Sequence, residues 1–222
     1  MIELEVRFPQ GGRASSSFSN KKPMAEVSCI LDSGKSREIV VPVRVGRLLQ
    51  NDAISLPLPE DEAFDAIHAL EERCCFSLLT EMLSRRDYAS QEAADKLSLY
   101  GYRIEEIQSV ISRAQHARFL NDDRFARYFI DERKRRGWGR RKIELELKRR
   151  GIVVEDMPGY PEEFFDADDD VQRALEVIER VSIPTVKPYE KLIHKLLNKG
   201  FSYSVAKEAV RMRLSDTDDV TF

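Results

Sequence analysis

The sequence predicts a mainly all-α protein: an elongated tandem array of three-helix, helix-turn-helix-like repeats behind a small N-terminal β-element. Three observations carry that expectation. From Glu60 onward apolar residues recur every three or four positions, the period of helices with one buried face. Gly101, Gly151 and Gly200 stand 50 and 49 residues apart. Each has a leucine four residues before it (Leu97, Leu147, Leu196), an apolar residue directly after it (Tyr102, Ile152, Phe201) and another three after it (Ile104, Val154, Tyr203). Before Glu60 the chain is instead rich in β-branched residues. The repeat reads as a helix, a glycine that reverses the chain, and apolar residues that anchor the next helix on the same core. A unit of about 50 residues buries little surface alone, so neighbouring units are expected to stack.

Residues 1–23 contain GGRASSSFSNKKP, polar and rich in Gly and Ser, and are expected to be flexible. Residues 24–59 form the β-element and a connector. Residues 27–31 and 38–45 read as extended, with the turn signal Asp32-Ser33-Gly34-Lys35 between them, and residues 48–59 lead through Pro57 and Pro59 to the helices. The first repeat spans 60–118. Phe64, Ile67, Leu70, Cys74, Cys75, Leu78, Leu79 and Met82 mark its first helix, Ser90 caps a second over 91–100, and Ile104, Ile107, Val110 and Ile111 mark a third. The second repeat, 119–167, is basic, and its last helix is interrupted by Pro158-Gly159-Tyr160-Pro161, with a short restart at Pro161. The third, 168–222, opens with a helix capped by Asp168 or Asp169 and carrying Val171, Leu175, Ile178 and Val181. Leu192 and Leu196 lie on its second helix, and Val205, Ala209 and Met212 on its last.

Residues 119–152, FLNDDRFARYFIDERKRRGWGRRKIELELKRRGI, read as two short helices joined by a tight turn. Asn121 or Asp122 supplies the N-cap, and Asp122 and Asp123 place negative charge at the positive end of the helix. Arg133, Lys134, Arg135 and Arg136 crowd its last turn, and Gly137 ends it. Trp138, the sole tryptophan, sits between Gly137 and Gly139. The next helix starts near Gly139 or Arg140, turns Ile143 and Leu147 inward and ends at Lys148-Arg149-Arg150. Phe125, Phe129, Ile143 and Leu147 are assigned to core. Trp138 is read as an anchor fixing the angle between the helices, with stacking on a base or partner as its other role. From His116 to Gly151 there are 13 Lys and Arg against 6 Asp and Glu, a net charge of +7. Residues 155–171 carry eight acids and no base, so the whole-chain net charge of −3 hides the patch. Such a cluster holds phosphates or an acidic protein surface. A solvated helix face, ion-paired to the acidic segment, explains a charge run alone equally well. If the cluster binds a partner, alanine at Arg140, Arg141 and Lys142 weakens that binding and leaves helix content nearly unchanged.

The ordered combination Leu-Asn-Asp-Asp-Arg-Phe-Ala-Arg at 120–127, Arg-Gly-Trp-Gly-Arg-Arg-Lys-Ile at 136–143 and Glu-Leu-Lys-Arg-Arg-Gly-Ile at 146–152 resembles the signature of the RecX family, regulators of the RecA recombinase. The similarity extends more weakly over about 60–214. The resemblance implies a tandem helical array without enzymatic activity, acting as a monomer in DNA repair, homologous recombination and the SOS response. Its partners would be RecA and the RecA–single-stranded DNA filament, with direct DNA contact as a further expectation. Lodged in the filament groove, it would limit recombinase and coprotease activity, by blocking filament growth or by promoting disassembly. The contact patch is assigned to Arg133, Lys134, Arg135, Arg136, Trp138, Arg140, Arg141, Lys142, Lys148, Arg149 and Arg150, where arginine offers bidentate contacts to carboxylate or phosphate and lysine a point charge. The competing reading is a helix-turn-helix-like transcription regulator with a recognition helix at 140–150. Against it stand Glu144 and Glu146, which would approach phosphates, and the lack of an evident dimerisation element.

Other chemistries find little footing. Cys29, Cys74 and Cys75 make no disulfide framework and suit a reducing cytoplasm; the vicinal pair reads as buried helix residues rather than a redox switch. No apolar run approaches membrane-spanning length, and MIELEVRFPQGG has no secretory core, so no membrane association is expected. His68, His116 and His194 are scattered at no metal-ligand spacing. Asp166, Asp168 and Asp170 imitate the start of a calcium loop, but Val171 and Val177 stand where glycine and glutamate are needed, so an acidic helix cap is the better reading. Gly137-Trp138-Gly139 lacks the third glycine and preceding strand of a dinucleotide fingerprint. No cofactor is expected.

Overall fold

Alternation along β2 (Met24–Leu31) places Ala25, Val27 and Cys29 on one side, and that side is buried. In the computed structural model, which describes residues 2–9, 22–31, 36–56 and 58–218, β2 is the centre of a three-stranded antiparallel sheet. Its neighbours are β1 (Ile2–Arg7) and β3 (Ser36–Pro42). The strand β1 corrects the expectation that residues 1–23 are flexible throughout: it pairs with β2 from Ile2 opposite Leu31 to Arg7 opposite Glu26. Its alternation of apolar and charged residues is too short to decide against the adjoining Gly/Ser-rich run, and only the partner strand makes it a strand. The rest of that expectation, at 10–21, and the turn at 32–35 lie outside the described residues. A second correction follows at α1 (Val43–Gln50), which occupies residues read as extended and then as connector. The spacing of Val45 and Leu49, both buried, outweighs β-branching here. Gly46 lets the helix lie on the sheet, since a Cβ there would come within 2.7 Å of the Ala25 Cβ.

The chain divides into two compact units, Met1–Asn121 and Asp122–Phe222. In the first, α2 (Glu60–Leu83), α3 (Ser90–Leu99) and α4 (Ile104–His116) pack with the sheet and α1 around one core, to which Ile67, Leu79, Leu97 and Val110 contribute fully buried side chains. Ser90 opens α3 rather than capping it; its hydroxyl accepts from Gln115 Nε2 at 2.9 Å. Burial pushes the Cys75 thiol up to about 12 and also raises Cys74, so both stay protonated core residues.

The second unit comprises α5 (Asp122–Arg135), α6 (Arg140–Lys148), a 3-10 turn at Val154–Asp156, α7 (Ala167–Glu179), α8 (Pro188–Lys199) and α9 (Tyr203–Asp218). The third helix of the second repeat is reduced to that single turn, and no helix restarts at Pro161. Buried Ile152, Val154, Met157 and Phe164 take its place in the core. The cap of α7 is Asp166, whose side chain accepts from the Asp168 and Asp169 amides; this is the acidic-cap reading, with the capping residue displaced from Asp168 or Asp169.

The glycine repeat has a specific physical content. At Gly101, Gly151 and Gly200 φ is +89°, +77° and +92°, the left-handed turn that glycine adopts at low cost. The amide after each glycine donates back to the leucine carbonyl: Tyr102 to Leu97 at 3.4 Å, Ile152 to Leu147 at 3.1 Å, Phe201 to Leu196 at 3.1 Å. These are Schellman caps, in which the leucine and the residue after glycine meet as the accompanying apolar pair. All six side chains are buried. The third repeat position does not follow: Val154 is buried, but Ile104 and Tyr203 are 58% and 55% exposed because they begin the next helix on its outer side. Leu147→Ala is expected to cost about 2–5 kcal/mol, the range for emptying a fully buried leucine site. Urea unfolding measures it, and a loss below about 1 kcal/mol would show that the cap pair is not a core contact.

Candidate partner-binding face

The turn between α5 and α6 is a fourth Schellman cap, with a different pair. Gly137 has φ +72°, and the Trp138 amide donates to the Arg133 carbonyl at 3.0 Å. Where the other caps join leucine to an apolar residue, this one joins a guanidinium to an indole, with Arg133 centred 4.9 Å from the Trp138 ring. Lys142 approaches the same ring, 4.3 Å from its centroid. Trp138 is half-buried between two cations rather than sunk in the core, and its carbonyl accepts from Arg173 Nη1 at 2.9 Å. Phe129, Ile143 and Leu147 are buried as expected, whereas Phe125 is only partly so and stacks on Phe129 at 5.9 Å.

Gly139 does different work from Gly137. Its amide donates to the Lys199 carbonyl at 2.8 Å, and the Arg141 amide donates to the Gly200 carbonyl at 3.1 Å. The first amides of α6, which have no partner inside their own helix, are thus satisfied at the carbonyl end of α8, where the two helix dipoles also complement each other. A Cβ on Gly139 would lie 2.2 Å from the Phe201 nitrogen, and one on Gly200 2.4 Å from the Lys142 Cβ.

The ten cations of the expected basic patch separate by partner. Lys142 lies over the Trp138 ring, and six others pair with carboxylates inside the protein. Arg133 Nε lies 3.3 Å from Glu132, and Arg136 also pairs with Glu132. Lys134 donates to the Phe164 carbonyl at 2.9 Å and pairs with Asp169 at 3.1 Å. Arg140 pairs with Glu144 at 2.7 Å and lies over the Tyr160 ring, while Tyr160 itself donates to Glu144. Arg149 and Arg150 share Glu146, whose carboxyl their hydrogen bonds, Arg150's foremost, hold below the usual range. The acidic segment is therefore a real partner of the basic helices, reached through Lys134 and through Arg127, which pairs with Glu163 at 3.4 Å. The remaining three are Arg135, Arg141 and Lys148, which are exposed and make no ion pair among the described residues. The expectation for joint alanine replacement of Arg140, Arg141 and Lys142 changes accordingly, because only Arg141 of the three lacks an internal partner.

The chain-wide reading missed other cations. Lys191, Lys195 and Lys199 stand on one side of α8, and with Lys142 they line a cavity of about 520 Å³ that carries no carboxylate. Their four-residue spacing after Pro188 was the available signal. The His68, Glu71 and Glu106 side chains of the first unit also converge, and Arg103 occupies their midst, 2.7 Å from Glu71 and 3.0 Å from Glu106. That cluster already has its cation.

Fold and face together define a class: tandem three-helix modules, the second of which carries exposed cations. Comparison with known proteins makes this specific. The family model for the second three-helix domain of RecX matches residues 121–156, the α5–α6 pair and its 3-10 turn. The chain is 30% identical over 146 residues to the regulatory protein RecX of Vibrio vulnificus, an alignment covering 64% of this chain and 92% of that protein. It is 27% identical over 131 residues to the regulatory protein RecX of Caldanaerobacter subterraneus subsp. tengcongensis, covering 59% of this chain and 66% of the relative. The crystal structure of RecX from Lactobacillus salivarius shares the fold, with a TM-score of 0.57 at 19% identity over 65% of this chain and 97% of that one. The chain belongs to the RecX family of regulatory proteins. Among the described residues no helix is long and apolar enough to cross a membrane.

Proposed function

We propose that this chain binds the RecA recombinase and its single-stranded DNA filament and restrains recombinase and coprotease activity, acting as a monomer in the cytoplasm. Family membership supports the regulatory role. The observation that carries the choice of partner is the outer side of α6, where Arg141, Leu145 and Lys148 are exposed at helical spacing. Leu145 is 49% exposed between two cations without ion pairs. An apolar spot flanked along the helix by unpaired cations, with Glu144 beside it already held by Arg140, suits an acidic protein face, since burying it contributes apolar area while the cations select carboxylates. A sequence-reading helix would place hydrogen-bonding side chains there instead.

The test is RecA-dependent ATP hydrolysis on single-stranded DNA with this protein titrated in below equimolar amounts. Inhibition well below one copy per RecA is expected for a filament regulator that blocks growth at ends. No effect at excess, with the protein folded, would break the RecA assignment and favour direct duplex recognition. Joint replacement of Arg135, Arg141 and Lys148 by alanine is expected to weaken inhibition about tenfold or more, with unfolding free energy changed by less than about 1 kcal/mol, because these side chains lie away from packed features. Lys134→Ala is expected to cost about 1 kcal/mol of stability through its lost bond to the Phe164 carbonyl.

A further inference from the structure

We infer that the lysine-lined groove between α8 and the start of α6 binds the phosphodiester backbone of a single nucleic-acid strand; this deepens the proposed function and rests on it. The groove is lined by Lys142, Lys191, His194, Lys195, Asn198 and Lys199. Among the described residues none of the three α8 lysines has an ion pair, and the nearby acid Glu190 is taken by Lys187 at 3.1 Å. Positive charge is therefore left without an internal counter-ion at this place, unlike at Arg133, Arg136, Arg140 and Arg150, which have carboxylate partners.

Geometry selects the ligand. Lysines four residues apart on a helix stand about 6 Å apart along the axis. A row of point charges at that interval follows the repeated single charges of an extended strand. Lysine lacks the planar fork that rewards a fixed carboxylate, and a backbone read without regard to sequence needs no such fork. The second feature is Trp138. Lys142 both lines the groove and covers the indole, so the ring lies beside the row of charges. A cationic track next to an aromatic face is the arrangement by which proteins hold single strands, the track neutralising phosphates and the ring stacking a base. Lys142 moving from the ring to a phosphate would open that face. The outer side of α6 and this groove then take different parts of the same filament, protein on one and strand on the other.

The experiment is anisotropy of a fluorescent oligothymidylate titrated with the full chain over a series of salt concentrations. Binding is read in parallel from Trp138 emission, the only indole in the protein. The triple variant Lys191→Gln, Lys195→Gln, Lys199→Gln is compared with the charge-keeping Lys→Arg triple. For the Gln variant the affinity is expected to fall about tenfold or more, and the slope of log affinity against log salt to become shallower by about 2, three phosphate contacts being lost. The Arg variant keeps the slope, and wild-type Trp138 emission is quenched on binding. A Gln variant that binds like wild type would place the strand elsewhere. Displacement of the oligonucleotide by polyglutamate at lower charge concentration would show a protein-binding groove instead. Absence of salt-dependent binding by the wild type would also overturn the inference. The regulator reading survives any of these outcomes if the wild type still inhibits RecA-dependent ATP hydrolysis, and falls separately if it does not.

Discussion

Gly139→Ala is expected to lower the stability of the second unit by about 3 kcal/mol or more, the upper range for overpacking. The φ angle at Gly139 is −84°, which any residue adopts, so backbone strain plays no part. The effect is steric. The new methyl would stand 2.2 Å from the Phe201 nitrogen, 2.3 Å from the Gly200 carbonyl carbon and 2.5 Å from its oxygen. These are backbone atoms and cannot swing aside, so α6 must lift away from the end of α8. Lifting breaks the bonds from Gly139 to Lys199 and from Arg141 to Gly200, leaving amides and carbonyls at two helix ends without partners. Denaturant unfolding followed by Trp138 emission measures the loss. A change below about 1 kcal/mol would mean that the two helices part easily and that Gly139 serves only the turn.

The second large effect lies in the first unit. Glu71 is 1% exposed, and Arg103 Nη2 stands 2.7 Å from its carboxylate and 3.0 Å from that of Glu106. His68 Nδ1 adds a contact to Glu106 at 2.9 Å. Arg103→Ala is expected to cost about 3 kcal/mol near neutral pH, because two buried carboxylates lose their guanidinium. Part of Arg103 reaches solvent, which places the effect at the low end for buried pairs. The pH dependence distinguishes charge from packing. Burial already raises the Glu71 pKa above its ordinary 4.5, with Arg103 opposing the rise. A carboxyl whose folded pKa is raised favours the folded state in acid and loses that contribution as pH climbs through the folded value. Removing Arg103 raises it further. The gap between wild type and variant therefore opens as pH climbs through the raised Glu71 value and closes in acid. Urea midpoints at acidic and neutral pH check this; an equal loss at both would assign Arg103 a packing role only.

Much of the helical architecture was legible because it rests on local rules. Leu97, Leu147 and Leu196 with their glycines are a six-residue motif whose hydrogen bonds and apolar pair all lie within it, so spacing alone reveals them. The same locality exposed the α5–α6 hairpin and its charge. What failed needed distant partners. Ile2–Arg7 is a strand because β2 lies beside it, and Val43–Gln50 is a helix because Val45 and Leu49 find the sheet and α2 to cover them. The charge count found the basic stretch but could not divide it: Arg140 and Arg150 are committed to Glu144 and Glu146, while Arg141 and Lys148 pair with neither.

By itself the sequence determined the helix boundaries at the glycines, the repeat, the basic character of residues 116–151 and the family likeness, since each is carried by residues close together along the chain. Only the tertiary structure decided which cations remain available. It also showed that Gly139 is small because another backbone passes 2.2 Å from where its methyl would be, and that lysines on α8 join Lys142 across about 50 residues of chain. Ion pairing and close approach depend on distances in space, which linear spacing fixes within a helix and leaves open between helices.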